Sequence, residues 1–389
     1  MAETNVATAT AEKSERWAWR SWVPWTLVVI ATIIGLVAAL NVWVKRQALS
    51  TDNWTNASAR LLEDDQIRSA LSVYLVNQVY ANVNVSQRLQ QRLPPNLAPL
   101  AQPLAVGLQT ASTRLVDNLL ARPRVQQLWR EANRRAHTQL MALLEGKHNV
   151  LVSSNGNVVL DLGQIVKLLA DETGLGGRLE GRLPPDAGQI TIMKGNQLDT
   201  VRTSVKVVKV LSYLLFFLVI ALYAAAVYLA RNHRKVLLGV GVSVLIVGLL
   251  ILVVRRFAGN YLVDTLSGDA PDAKGAVSAT WAIGTELLRN TGINAVIYGV
   301  LIIFAAWLAG PSRPATWTRR TLAPAMREYP VVVYAVVTGI LFLVLLAGPT
   351  DAERIFPLLI LFGFAYAGVE WLRRHTIREF PAEQREVPA

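Results

Sequence analysis

The chain contains no cysteine, and only four histidines and four methionines among its 389 residues. Without cysteine there is no disulfide, no thiolate nucleophile, no Cys-x-x-Cys redox pair and no cysteine-ligated metal. Charged residues are also scarce, at 17%, whereas apolar residues make up 52% and the mean hydropathy is +0.34. This balance is typical of a membrane protein that carries a sizeable polar domain rather than of a purely soluble protein.

Familiar catalytic and ligand-binding motifs are missing too, since no HExxH, EF-hand loop, GxSxG or P-loop occurs. His137 lies beside Glu131 and several arginines on a predicted helix, where we expect a solvated surface residue. Asp161, Asp171 and Glu172 are too far apart in local structure for an acid–base pair. We therefore expect no catalytic residue, no metal site and no cofactor, and the sequence disfavours an enzyme without deciding the question.

Six apolar runs are long enough to cross a bilayer. They predict transmembrane helices at residues 22–44, 207–230, 236–254, 293–309, 331–347 and 355–372. The first is too long and begins too late for a cleaved signal peptide. The predicted fold class is therefore an all-α polytopic membrane protein with six transmembrane helices and one polar domain, residues 45–206, between the first two.

Lysine and arginine in the short loops set the predicted orientation, because they collect on the cytoplasmic side. They are concentrated in the tails, 1–21 and 373–389, and in the loops on the same side. Both termini are therefore predicted to be cytoplasmic, in the cell membrane, with 45–206 and a loop at 255–292 outside. The same distribution accounts for the net charge of +12, so we expect membrane lipids, some of them anionic, and a further envelope protein as partners, and no nucleic acid.

None of the predicted spans has Asp, Glu, Lys, Arg or His near its middle. Intramembrane ionisable groups usually mark ion-coupled transport, so their absence argues against a coupled pump. Glycines in the spans instead predict close helix packing. These glycines are Gly35, Gly239, Gly241, Gly248, Gly299, Gly339, Gly363 and Gly368.

The domain at 45–206 is predicted to be mainly helical with a small β element. Asn155-Gly156 separates short β-prone runs at 150–153 and 157–161, which predicts a hairpin, and 189–193 is a candidate third strand. The string RLxxRLPP occurs at 88–95 and again at 178–185, through either duplication or chance.

Two groups of cations are candidate binding residues. A collar at the outer ends of the first three spans is a candidate site for anionic lipid or polymer, and consists of Lys45, Arg46, Lys206, Lys209, Arg255 and Arg256. One predicted helix is a candidate dock for an acidic partner, through Arg124, Arg130, Arg134 and Arg135. The alternative for the first group is snorkelling to lipid headgroups, and for the second a solvated face.

Four local strings occur in this layout: STDNW at 50–54, ARPRV at 121–125, LPPDAG at 183–188 and GPSRP at 310–314. Together with the order of the spans, they resemble a group of uncharacterised integral membrane proteins common in actinobacteria. The resemblance covers nearly the whole chain. It implies the topology and a cell-membrane location, and it implies no activity, cofactor or catalytic residue.

Two functions from different classes fit these observations. The first is a binding, sensing or scaffolding module in the cell envelope, formed by the outer domain. The alternative is a permease or transporter component for a lipid or envelope substrate. A half-unit of a resistance–nodulation–division exporter uses Asp in its fourth span, and 293–309 contains none. An ATPase-driven permease needs a cytoplasmic coupling helix, for which 231–235 is too short.

The orientation predicts a labelling pattern. A cysteine at Ser112 should react with an impermeant maleimide in intact cells, and a cysteine at Ser312 should react only after lysis, because the cation asymmetry places them on opposite sides. The natural absence of cysteine makes each variant a single-site reporter. Labelling of Ser312→Cys without lysis would reverse the assigned orientation.

Overall fold

A computed structural model describes residues 2–82, 85–94, 97–145, 158–161, 189–193, 195–268, 273–347 and 355–380. The chain divides into two compact units. Unit 1 comprises Met1–Leu40, Ser212–Arg255 and Leu288–Ala389, and unit 2 comprises Asn41–Leu211 and Arg256–Leu287.

The described chain is overwhelmingly helical. The helices are α1 (Ala2–Ala48), α2 (Thr51–Glu63), α3 (Asp65–Asn82), α4 (Val85–Arg92), α5 (Ala101–Leu120), α6 (Pro123–Leu144), α7 (Gly195–Leu229), α8 (His233–Leu266), α9 (Lys274–Gly284), α10 (Glu286–Leu308), α11 (Arg313–Glu328), α12 (Pro330–Ala347) and α13 (Ile355–Glu379). A 3₁₀ turn, Ala98–Leu100, precedes α5.

Four helical segments are long and apolar enough to cross a membrane. They are Trp22–Ala48, Thr200–Leu229, His233–Leu266 and Glu286–Leu308. A fifth is reached if α11 and α12, which are bent by 116° at the junction before Pro330, count as one broken span. Four to five such helices fit the predicted membrane protein. The described residues do not support the predicted number of six.

Two short strands, β1 (Val158–Asp161) and β2 (Gln189–Met193), pair antiparallel. Both are regions for which the sequence predicted strands. The predicted hairpin is not supported, because β1 pairs with β2, and 150–153 and the Asn155-Gly156 turn lie outside the described residues. The second copy of the RLxxRLPP string, at 178–185, also lies outside them.

Unit 2 is built on pairs of short helices. α2 packs on α6, α3 packs on α5, and α9 packs on both α2 and α3. The Ser50 hydroxyl caps the start of α2, and the Asp64 carboxylate accepts from the backbone N–H groups of Gln66 and Ile67 at the start of α3.

Unit 1 contains a glycine seam, which we define as Gly241 and Gly248 of α8 with Gly292 and Gly299 of α10. The two glycines of each helix are seven residues apart, so they lie on one face. A Cβ on Gly248 would lie 2.7 Å from the backbone of Gly292 and Val296, and one on Gly299 would lie 2.6 Å from the backbone nitrogen of Leu245. The helices therefore meet backbone to backbone, which confirms the predicted close packing at Gly241, Gly248 and Gly299.

Other glycines divide into two classes. Gly239 also packs closely, because a Cβ there would lie 2.6 Å from the Trp25 ring. A Cβ on Gly339, Gly363 or Gly368 would meet no heavy atom within 4 Å, and one on Gly35 would make only an ordinary contact at 3.9 Å. The prediction of close packing is therefore wrong for these four glycines within the described chain, because no neighbouring backbone approaches them.

The seam predicts a position-specific loss of stability. Gly299→Ala should destabilise the protein by about 1–3 kcal/mol, because the added methyl must push backbone rather than a flexible side chain. Gly339→Ala is the matched control, since the same change meets open space and favours the helix. Denaturant unfolding of the full chain in detergent measures both. Equal stability of the two variants would contradict the seam.

Candidate functional site: the junction of α1, α6 and α7

The carboxyl end of α1 exposes backbone carbonyls that lack partners within the helix. Side chains of two other helices, α2 and α6, form hydrogen bonds with these carbonyls. Asn53 of α2 donates its amide N–H to the carbonyl oxygen of Arg46 at 3.0 Å. The Nε2 atom of His137, on α6, lies 3.1 Å from the carbonyl oxygen of Ala48. The last turn of α1 is thus closed by side chains of α2 and α6.

His137 is the central residue of this junction, and only 4% of it is exposed. A carbonyl only accepts hydrogen bonds, so Nε2 carries the proton and donates to Ala48. Nδ1 then accepts from the hydroxyl of Thr51 at 3.0 Å. The imidazole also stacks on Trp54, with ring centroids 5.2 Å apart and an interplanar angle of 23°. A neutral histidine is therefore fully satisfied here.

The expectation that His137 is a solvated surface residue is wrong. The face of α6 that carries His137 packs on α2, so the imidazole ring is covered by Trp54 and by the end of α1. The helical spacing indicated burial, because His137 lies eight residues after Trp129 and four before Met141. This places it at the edge of the apolar stripe of α6. The neighbouring arginines, Arg134 and Arg135, suggested an exposed position instead.

Burial gives His137 an unusual acid–base property. Desolvation disfavours the charged imidazolium and lowers its pKa from the ordinary value of 6.5, while the hydrogen bond to Ala48 opposes this in part. The neutral form is therefore the form that fits the closed junction.

The carboxyl end of α6 is closed in a similar way by α7. Arg202 donates from Nε to the carbonyl oxygen of Leu143 at 3.1 Å, and Lys209 forms an ion pair of 2.6 Å with Glu145. An apolar cluster of Met141, Leu144 and Val205 lies beside these contacts. α7 is also joined to α1, because Asn41 donates to the carbonyl oxygen of Val208 at 3.1 Å.

The predicted collar is distributed over three helices. Lys45 and Arg46 lie in the last turn of α1, Lys206 and Lys209 lie in α7, and Arg255 and Arg256 lie in α8. Lys209 is paired with Glu145, which the sequence did not reveal. The last two arginines are within α8 rather than at its end, because that helix continues to Leu266. Lipid binding by this group stays a prediction.

The predicted partner-binding arginines of α6 lie on its exposed face, but three form ion pairs within the domain. Arg130 contacts Glu63 at 3.0 Å, Arg134 contacts Asp52 at 2.9 Å, and Arg135 contacts Glu131 at 2.7 Å. Arg124 lines an open groove on the same face, together with Arg130 and Arg134. Two of the pairs join α6 to α2, so part of the basic stripe serves the fold.

No metal centre stands out, since no three His, Asp or Glu side chains of the described residues are grouped so that they could hold an ion. Comparison with protein-family profiles, curated proteins and solved structures finds no match to this chain.

The buried histidine predicts a pH dependence of stability. The pKa of His137 is lower in the folded than in the unfolded chain, so the unfolded chain takes up the proton first as pH falls below about 6.5. Stability should therefore fall with decreasing pH in that range and be unaffected by this group above it. Thermal unfolding of the full chain between pH 5 and 8 measures the effect.

His137→Gln should flatten this pH profile, because the amide cannot titrate. His233→Gln is the control, since His233 is exposed at the start of α8. If the wild-type and His137→Gln profiles have the same slope, the histidine does not contribute in this way.

Proposed function

We propose that this chain is a cell-envelope membrane protein whose extracytoplasmic helical domain acts as a binding, sensing or scaffolding module. In this proposal the chain has six spans and cytoplasmic termini. The observation that carries the proposal is the closure of the α1 carboxyl end by Asn53 and His137.

The connection has no flexible linker on the α1 side. α1 ends at Ala48, and Ser50 already caps α2. A displacement of α2 or α6 must therefore move the end of α1 or break its hydrogen bonds to Asn53 and His137. On the other side, Arg202 and Lys209 make the same connection between α6 and α7. A domain built to bind something and report it to the membrane helices needs such a junction.

An exposed leucine face supports a binding role. Along α5 and the turn before it, apolar side chains recur at spacings of three, four and seven residues, which places them on one face. They are Leu97, Leu100, Leu104, Leu108 and Leu115. Leu115 is 70% exposed. Aligned apolar residues of this kind are more typical of interaction surfaces than of solvated ones.

The permease alternative gains one specific observation. An ATPase-driven permease needs a cytoplasmic coupling helix, and the loop at 231–235 is too short to form one. α11, Arg313–Glu328, is a helix of 16 residues on the predicted cytoplasmic side. A helix of this length meets the requirement that the loop at 231–235 does not, so the shortness of that loop does not by itself argue against an ATPase-driven permease.

Site-specific photocrosslinking in intact cells distinguishes the two functions. For a binding module, a photoreactive residue at Leu108 should give a discrete protein adduct, and Leu104→Asp with Leu115→Asp should weaken it at least tenfold by disrupting the leucine face. Thr110, exposed on another side of α5, is the control position. A probe at Trp317 of α11 reports the alternative, for which the adduct would be a cytoplasmic ATPase. An adduct at Trp317 with none at Leu108 would overturn the proposal.

A further inference from the structure

α11 makes a large angle with the helix that follows it. The bend between Arg313–Glu328 and Pro330–Leu343 is 116°, which is 26° from a right angle. Pro330 begins α12, and its ring cannot continue the hydrogen bonding of α11. Because α12 is the apolar part of this pair, a membrane-spanning α12 places α11 close to the plane of the membrane surface.

One face of α11 is fixed to the rest of unit 1. Its buried residues are Ala315, Arg319, Ala323 and Met326. Arg319 is only 2% exposed, and its guanidinium contacts both carboxylate oxygens of Glu379 at 2.9 and 3.0 Å. It also donates to the carbonyl oxygens of Leu308 and Gly310 at 2.5 and 2.7 Å. α11 is therefore held against the ends of α10 and α13.

The opposite face of α11 is basic and aromatic. Arg313, Trp317, Arg320 and Pro324 recur at spacings of four, three and four residues, and all are exposed. Trp317 is 69% exposed. No acidic residue occurs in α11 before Glu328. Tryptophan prefers the headgroup level of a bilayer, and arginine beside it can reach lipid phosphates, so this face suits a membrane–water interface.

Two arginines of this region have partners within the fold, and two on the exposed face of α11 form no ion pair among the described residues. Arg319 and Arg373 are satisfied by backbone carbonyls and carboxylates. In the part of the chain that the structure describes, Arg313 and Arg320 form no ion pair, and both lie beside an exposed tryptophan. Guanidinium groups match phosphate geometry well, and the cytoplasmic leaflet is negatively charged.

We propose that the exposed face of α11 binds anionic phospholipid headgroups of the cytoplasmic leaflet, with Arg313 and Arg320 on the phosphates and Trp317 among the headgroups. The choice of leaflet rests on the proposed orientation, whereas the binding itself rests on the geometry of α11. A cation near an anionic surface changes the binding constant about fivefold, so the two arginines together contribute roughly 25-fold.

The experiment uses the full chain in nanodiscs of phosphatidylcholine with increasing phosphatidylglycerol. Native mass spectrometry counts the phosphatidylglycerol molecules that are retained. Arg313→Gln with Arg320→Gln should lower the preference for phosphatidylglycerol by roughly 25-fold. The control, Arg231→Gln with Arg378→Gln, removes two exposed cations from the same predicted side and should keep the preference. Equal loss in both variants, or no loss in either, would overturn the proposal.

A second readout locates the helix. A nitroxide on Thr321→Cys, on the exposed side of α11, should show the oxygen accessibility of a headgroup-depth site, in a chain that has no other cysteine. Protection of this label by a cytoplasmic protein instead of lipid would overturn the lipid proposal and favour the permease alternative. If Ser312→Cys is labelled from outside while phosphatidylglycerol binding persists, the orientation is wrong and the binding stands.

Discussion

Helix carboxyl ends, and the side chains that close them, organise this protein. A helix leaves its last carbonyls without partners, and inside a packed protein or near hydrocarbon that is costly. Here polar side chains from distant parts of the chain supply the donors. Asn53 and His137 close α1, Arg202 closes α6, and Arg319 closes α10. Each contact satisfies backbone and also fixes the position of one helix against another.

Helix packing and helix capping use different residues in this protein. Within unit 1, α8 and α10 pack backbone to backbone through the glycine seam. Such packing relies on backbone proximity and needs no ionisable group in the spans. His137, Arg202 and Arg319 act instead at the carboxyl ends of helices. The division matches the chemistry of the surroundings, because a cation at a helix end can reach both carbonyls and water.

The basic residues therefore have different roles, some within the fold and others on exposed surfaces. Arg202, Arg319 and Arg373 cap helix carbonyls, and Arg130 and Arg134 join α6 to α2 through ion pairs. These cations already have partners within the fold. Those on the outer face of α11 carry no such structural duty among the described residues, which is why a binding role is assigned there and not to the α6 stripe.

Sequence by itself determined the membrane class, the mainly helical polar domain and the small-residue packing of α8, because apolar run length and helical periodicity are local properties. It did not determine the number of spans, since the α11–α12 pair depends on a bend rather than on composition. Nor did it reveal that His137 is buried or that Arg319 caps α10. The partners of His137 are 86 and 89 residues away along the chain, and Glu379 is 60 residues from Arg319. Only the tertiary structure brings such groups together, because hydrogen bonding depends on distance in space and leaves no periodic pattern in the sequence.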